Sequence, residues 1–212
     1  MQSSAGDRES SRSLRLFGLD LKSVLRLVLV GVLLATLSRL LLWQVYTVSG
    51  ESMAPTLTSG ERIVVFKPSA LSAPQVGDIV VIDGRDTLAV GDVPDPAWLQ
   101  TLLVAESLDT RLFVKRVAAV GGDHLVCCDA TGSLVRNGQP VNEPYLNGGA
   151  SDFPFDVTVP AGHVFVLGDN REHSLDSRDL LGRPSGGMIA SGQIVGRVDA
   201  VVWPPARMSL TD

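Results

Sequence analysis

Two residues in this chain, Ser52 and Lys115, have types and settings that offer chemistry. Ser52 lies in Ser49-Gly50-Glu51-Ser52-Met53-Ala54-Pro55-Thr56-Leu57, directly after an apolar run, and Lys115 lies in Phe113-Val114-Lys115-Arg116-Val117-Ala118-Ala119-Val120-Gly121-Gly122-Asp123. A third polar block follows, Gly168-Asp169-Asn170-Arg171-Glu172-His173-Ser174-Leu175-Asp176-Ser177-Arg178. A serine hydroxyl is a weak nucleophile. It needs a base to take its proton and donors to stabilise the oxyanion that follows. The histidines, His124, His163 and His173, sit in no recognised triad setting. The chain has no G-x-S-x-G elbow, no H-E-x-x-H and no S-x-x-K. Lysine is the base that remains. It serves only when neutral, and its free pKa is about 10.4, but burial disfavours the ammonium and lowers that value. In a strand, Lys115 shares its face with Phe113, Val117 and Ala119, which are the apolar surroundings such a shift requires. Arg116 faces the other way, and its permanent charge bars it from acting as a base. Read by itself, a strand lysine is more often a surface residue, so the local text leaves both settings open.

The elements that must position these groups begin with an anchor. The stretch 24–46 reads VLRLVLVGVLLATLSRLLLWQVY, with an apolar heart from Leu27 to Trp43. A membrane-spanning helix needs roughly 17–25 such residues. Arg26 and Arg39 lie where long basic side chains snorkel to headgroups, and Trp43 and Tyr46 fit an interfacial aromatic belt. Arg8, Arg12, Arg15, Lys22 and Arg26 precede or begin the span, whereas the near downstream side is poor in Lys and Arg until Arg62. The positive-inside rule therefore predicts a single pass, with a tail of residues 1–23 in the cytoplasm and the bulk of the chain outside. A cleaved signal peptide and a buried helix of a soluble protein are the alternatives. No small-x-small cleavage site follows Trp43.

Residues 47–212 read as mainly β, in one or two antiparallel sheets. Val- and Ile-rich runs bounded by Gly, Pro and Asp predict strands over Arg62–Phe66, Asp78–Ile82, Leu112–Val120, His163–Leu167 and Ile194–Trp203. Asn137-Gly138 between Leu134-Val135 and Val141 predicts a two-residue hairpin. The stretch 83–111 departs from this pattern and reads as a variable insertion, with one short helix over Trp98 to Leu108. Residues 1–13 are polar and read as disordered.

Bulk numbers set outer limits. The chain has 212 residues, is 45% hydrophobic and 19% charged, and carries a formal charge of −5, so it is foldable and lacks the overall basic balance of a nucleic-acid binder. The two cysteines, Cys127 and Cys128, are neighbours. Adjacent trans Cα atoms lie about 3.8 Å apart, short of the roughly 4.4–6.8 Å of ordinary disulfides. They read as two thiols on opposite faces of a strand, with a strained bridge as the alternative. No metal-ligand spacing is present, and neither a metal nor another cofactor is expected.

Taken together, the blocks resemble the type I signal peptidases, or leader peptidases. These are bacterial membrane-anchored Ser–Lys endopeptidases that remove signal peptides from exported proteins. The resemblance covers the anchor, the serine block, Gly77-Asp78-Ile79-Val80-Val81, the lysine block and the block from Gly168 to Arg178, in that order along the chain. It implies a signal-peptidase-like β fold behind one N-terminal transmembrane helix in the cytoplasmic membrane, with the catalytic domain outside. Ser52 would be the nucleophile and Lys115 the general base. Ser174 would hydrogen-bond the lysine, Asp176 and Arg178 would form a supporting pair, and Asp169 would pair with Arg116 beneath the site, with Asn170 in a structural role. Met53 would follow the nucleophile near the bilayer. Some members carry a serine where this chain has Gly50, so backbone N–H groups, including that of Ser52, would supply most of the oxyanion contact. Some members also carry a second span; this chain reads as having one, upstream of the site. The implied partners are signal peptides with small residues at the first and third positions before the cut, the lipid bilayer and the export translocon. A self-cleaving relative and a membrane-tethered binding domain without catalysis are the competing functions.

Overall fold

The structure, a computed structural model, describes residues 20–68, 72–84, 87–88, 106–107 and 112–211. The arginines at 8, 12 and 15, the polar tail and most of the stretch 83–111 lie outside the described residues. The chain divides into two compact units, Met1–Leu41 and Leu42–Asp212.

In the first unit, helix α1 spans Leu21–Leu42. Asp20 caps it, accepting the Ser23 N–H at Oδ1 at 2.7 Å. Val24, Leu25, Leu27, Val28 and Leu29 are exposed along its length. Among the described residues no helix is long and apolar enough to cross a membrane; the side chains at 39–41, inside the apolar run, are not among those described. The span expected over 24–46 is helical only as far as Leu42. Trp43–Thr47 forms strand β1 instead. Gln-Val-Tyr-Thr is β-prone sequence, and pairing with a neighbouring strand satisfies its backbone.

The second unit is antiparallel β apart from one short parallel pair. After β1 come Arg62–Phe66 (β2), Ile79–Asp83 (β3), Glu106–Ser107 (β4), Leu112–Val120 (β5), His124–Cys127 (β6), Leu134–Arg136 (β7), Gln139–Pro140 (β8), Phe155–Thr158 (β9), His163–Leu167 (β10), Ile189–Ala190 (β11), Ile194–Trp203 (β12) and Ser209–Leu210 (β13). Among the described residues the large sheet runs β11-β10-β5-β3-β12-β2-β1-β4, with β13 on β12, and a small sheet runs β8-β7-β6-β9. The five strands read from Val- and Ile-rich runs are present, with the one expected at Asp78–Ile82 displaced by one residue. The hairpin turn is present too, with φ of 52° at Asn137 and 77° at Gly138 as a primed turn requires. Within the stretch expected to hold a helix, Glu106–Ser107 is strand and pairs in parallel with β1.

Strand β5 positions the lysine. It is flanked by β3, with Lys115 opposite Val80, and by β10, with Arg116 opposite Leu167. Pairing with β3 covers Leu112–Arg116 and pairing with β10 covers Arg116–Val120, so Lys115 lies beside β3 where the β10 pairing has ended. Val114, Lys115, Arg116 and Val117 are all buried. Phe113 and Val117 pack in one apolar cluster with Val80, Ile82, Val164 and Val166. Ala119, expected on the same face, belongs to a different cluster with Leu125, Phe155 and Phe165. The β5–β10 register shifts between Phe165 and Val166, which breaks the simple alternation beyond Val117.

Cys127 and Cys128 are bonded to each other across a cis peptide, with Cα atoms 3.0 Å apart. The trans spacing behind the reading of two separate thiols therefore does not apply.

Candidate active site

Lys115 reaches the centre of the site from β5, and Ser52 reaches it from the loop between β1 and β2. Lys115 Nζ lies 2.7 Å from Ser52 Oγ. Lys115 is only 2% exposed, while Ser52 is half-buried. Burial lowers the lysine pKa to about 8. The carboxylates of Asp176, Asp179 and Asp169 pull the other way, and Arg178 adds to the lowering. Loss of water is the largest of these effects, which is the condition a lysine base requires.

A cavity of about 310 Å³ opens on this pair. Ser49, Gly50, Glu51, Ser52 and Met53 line it from the loop, Leu112 to Lys115 line it from β5, and Val48, His173 and Leu175 complete it. The space beside Gly50 is open. Met53 is 1% exposed and packs in a core cluster with Leu57, Val114 and Val198, so its side chain fastens the loop to the sheet.

Two buried ion pairs lie beneath. Arg116 forks onto Asp169, Nε to Oδ1 at 2.9 Å and Nη2 to Oδ2 at 2.7 Å, and its guanidinium stacks 4.0 Å over the Tyr145 ring. Asp169 Oδ2 also accepts the Thr56 hydroxyl at 2.6 Å, which ties the serine loop to the pair. Asp176 accepts Arg178 Nε at Oδ1 and Nη2 at Oδ2, both at 2.9 Å, and Oδ2 takes the Gly168 N–H at 3.0 Å. Burial alone would lower the pKa of each arginine; the bonds to Asp169 and Asp176 outweigh it and raise both. Asn170 holds the backbone at Ser52. Its N–H donates to Ser52 O at 3.0 Å and its Nδ2 to Glu51 O at 3.1 Å.

Ser174 departs from expectation. Its Oγ is buried and has no hydrogen-bond partner among the described residues, so the bond to the lysine is not formed here. It sits instead over Gly168. A Cβ at Gly168 would overlap Ser174 Oγ and the carbonyl oxygen of Ser52. Gly168 thus lets the polar block approach the nucleophile, a role that sequence reading did not single out. Glu143, Tyr145 and Arg171 were missed as well. Arg171 bonds Glu143 at 2.6 Å and the carbonyls of Ala150 at 2.8 Å and Gly168 at 3.0 Å, and Tyr145 donates to Glu143 at 2.8 Å. Arg171 and Glu143 lie 28 residues apart, and Arg171 and Ala150 lie 21 apart, so no local spacing announces those two contacts.

With that geometry in hand, comparison with known proteins is direct. The profile of the family described as signal peptidase, peptidase S26, matches residues 21–203. The signal peptidase I of Mycobacterium tuberculosis (strain H37Rv) is 36% identical over 216 residues, covering 87% of this chain and 71% of its own. The signal peptidase I of Bacillus licheniformis is 33% identical over 197 residues, covering 87% and 90%. The signal peptidase I T of Bacillus subtilis (strain 168) is 34% identical over 196 residues, covering 87% and 86%. The chain belongs to the signal peptidase family, peptidase S26. It is a hydrolase of the serine peptidase class.

Two outcomes follow from the site's packing. Gly168→Ala is expected to lower the urea unfolding free energy by about 1–3 kcal/mol, the range for overpacking, and to lower peptidase activity by more than the loss of folded protein explains. The lysine carries a stability signature of its own. Its folded pKa, about 8 against an ordinary value of 10.5, is depressed. Below pH 8 the folded protein holds a buried ammonium at a cost. Between these two values the unfolded chain binds more protons, so stability rises with pH. The cost is on the order of 3 kcal/mol. Lys115→Met is therefore expected to melt higher than wild type at pH 7, with the gap closing as pH rises toward 10. A variant that melts lower at every pH would contradict this.

Proposed function

We propose that this enzyme cleaves signal peptides from exported preproteins at the outer face of a bacterial cytoplasmic membrane, with Ser52 as nucleophile and neutral Lys115 as general base. The observation that carries the reading is the 2.7 Å contact between Lys115 Nζ and Ser52 Oγ, with the amine 2% exposed. The amine takes the hydroxyl proton as Oγ attacks the scissile carbonyl. The oxyanion is met by backbone N–H groups of the loop, including that of Ser52. The protonated amine then delivers its proton to the leaving amine, and the acyl-enzyme is released by water activated through the same lysine. Asn170 and the Arg116–Asp169 pair steady the loop, and Asp176 with Arg178 steadies the block over Gly168.

The cavity supports the substrate class. One wall is strand, Leu112 to Lys115. An extended peptide laid along it gains sequence-independent main-chain hydrogen bonds, while a shallow pocket excludes bulk. That fits small residues at the first and third positions before the cut. The apolar run Leu27 to Trp43, with basic residues before it, supports a single-pass anchor with the N-terminus inside. From Tyr46 to Ser52 the chain extends at most roughly 20 Å, so the nucleophile works close to the membrane surface, where the cleavage site of a spanning signal peptide emerges. Contact with the export translocon belongs to the same reading.

The test is incubation with a secretory precursor and mapping of the new N-terminus. Ser52→Ala is expected to lose roughly 10³–10⁶-fold in rate, and Lys115→Arg to be as damaging, because the charge stays and the base is gone. Wild-type activity is expected to rise with pH through a midpoint near 8 as Lys115 loses its proton. Retained activity in Lys115→Arg, or a flat profile from about pH 5 to about pH 10, would falsify the lysine mechanism.

A further inference from the structure

The loop that carries Ser52 is also held from the far end of the chain. Arg207 closes the 3-10 turn Pro205–Arg207. Its Nε donates to Glu61 Oε1 at 2.7 Å, and its Nη2 donates to the carbonyls of Pro55 at 3.1 Å and Thr56 at 3.2 Å. Glu61 stands at the base of the loop and is 2% exposed. Its other oxygen accepts the Thr58 N–H at 3.0 Å. Backbone bonds from Val48 N–H to Glu61 O and from Gly60 N–H to Val48 O, both 2.8 Å, close the neck. Pro55 and Thr56 follow the nucleophile by three and four residues. A single guanidinium thus ties the base of the loop to the segment just past Ser52. The same segment is gripped from the opposite side by Asp169 through the Thr56 hydroxyl.

We infer that Arg207 is a positioning residue that fixes the Ser52 loop so that Oγ stays within reach of Lys115 Nζ, an inference that rests on the Ser–Lys reading. Arg207 lies four residues past the stretch matched to the family profile. Its side chain is 47% exposed. Glu61 is 2% exposed, so loss of Arg207 strands a buried carboxylate and costs stability, whereas a displacement of about 1 Å in a reacting group costs on the order of 10²-fold in rate. Rate per titrated site, which counts folded protein only, separates positioning from that general support. Three acceptors shared between Nε and Nη2 suit the rigid fork of arginine and not the single point of an ammonium. Burial would raise the pKa of Glu61, but the bonds from Arg207 and the Thr58 N–H outweigh it and hold the group below the usual carboxylate value. The clamp is therefore fully charged across the working range of the lysine.

The experiment uses the full chain and a secretory precursor peptide, with rates normalised to the sites acylated at saturation by a serine-reactive probe. Arg207→Ala is expected to lose about 10-fold in kcat per titrated site, with KM within about twofold and the pH midpoint unmoved near 8, and to melt lower because buried Glu61 loses its cation. Arg207→Lys keeps the charge opposite Glu61 and hence the fold, and is expected to recover less than half of that loss. Adding Glu61→Gln to Arg207→Ala should lower kcat no further. Wild-type kcat per site in either arginine variant, or a rise in KM at unchanged kcat, overturns the inference. If Arg207→Ala does not fold, Arg207→Lys is judged by the same criteria. Lys115→Ala is run in parallel. Activity in that variant sinks the Ser–Lys reading and leaves the Arg207 result readable in kcat.

Discussion

The site depends on a lysine deprived of water. In solvent an amine keeps its proton at neutral pH and cannot accept one from an alcohol. Lys115 sits on β5 opposite Val80 of β3, 2% exposed, and burial brings its pKa down to about 8. Three carboxylates nearby oppose this change. Two of them, Asp169 and Asp176, are matched by the guanidinium groups of Arg116 and Arg178. Arg178 offsets part of the pull of Asp176, and burial outweighs what remains. Buried ion pairs are weak evidence for stability. Here one partner of such a pair, Arg178, also helps lower the pKa of the amine.

Ser52 and Lys115 come from different kinds of element. Lys115 is on strand β5, whose backbone pairs with β3 along Leu112–Arg116. Ser52 is on a loop, where a peptide chain can be approached from solvent. A loop by itself does not hold an oxygen to a fraction of an ångström. This one is fixed at several points: Met53 and Leu57 in a core cluster, Thr56 on Asp169, Ser52 O on the Asn170 N–H, and Pro55 and Thr56 on Arg207. Each anchor is an ordinary contact. Their convergence on a few consecutive residues gives the hydroxyl a defined direction.

How much of this was legible in the sequence follows from which signals are local. Strands β2, β5, β10 and β12 announce themselves because β-branched runs end at Gly, Pro or Asp. The turn at Asn137-Gly138 is legible because φ is positive at both residues. Strand β1 was not legible, since Leu40-Leu41-Leu42-Trp43 passes from helix to strand without a polar or glycine break. Strands β6 and β9 are short and carry His, Cys and Asp, so alternation is weak. The face shared by Phe113, Lys115 and Val117 followed from period two, but Ala119 did not, because the register shift beside it is set by β10. The proximity of Ser52 and Lys115 was an expectation from the order of the blocks. The fold brings them together across 63 residues. Glu143, Arg171 and Arg207 were invisible because each gains meaning only from a partner that tertiary structure supplies.

The unequal exposure of the two reacting groups has a physical logic. Ser52 must meet a carbonyl arriving from outside, and it is half-buried. Lys115 must not meet water, and it lies behind the hydroxyl with its stem among apolar side chains. The opening between them and solvent is the cavity of about 310 Å³, walled by Leu112, Phe113, Val114 and Leu175 as well as by the loop. A chain segment that fills this space shuts the amine off from solvent further, which lowers its pKa and raises its neutral fraction. Occupancy of the cavity and the protonation state of Lys115 are therefore linked: the amine is more often charged when the cavity is open and more often neutral when it is filled.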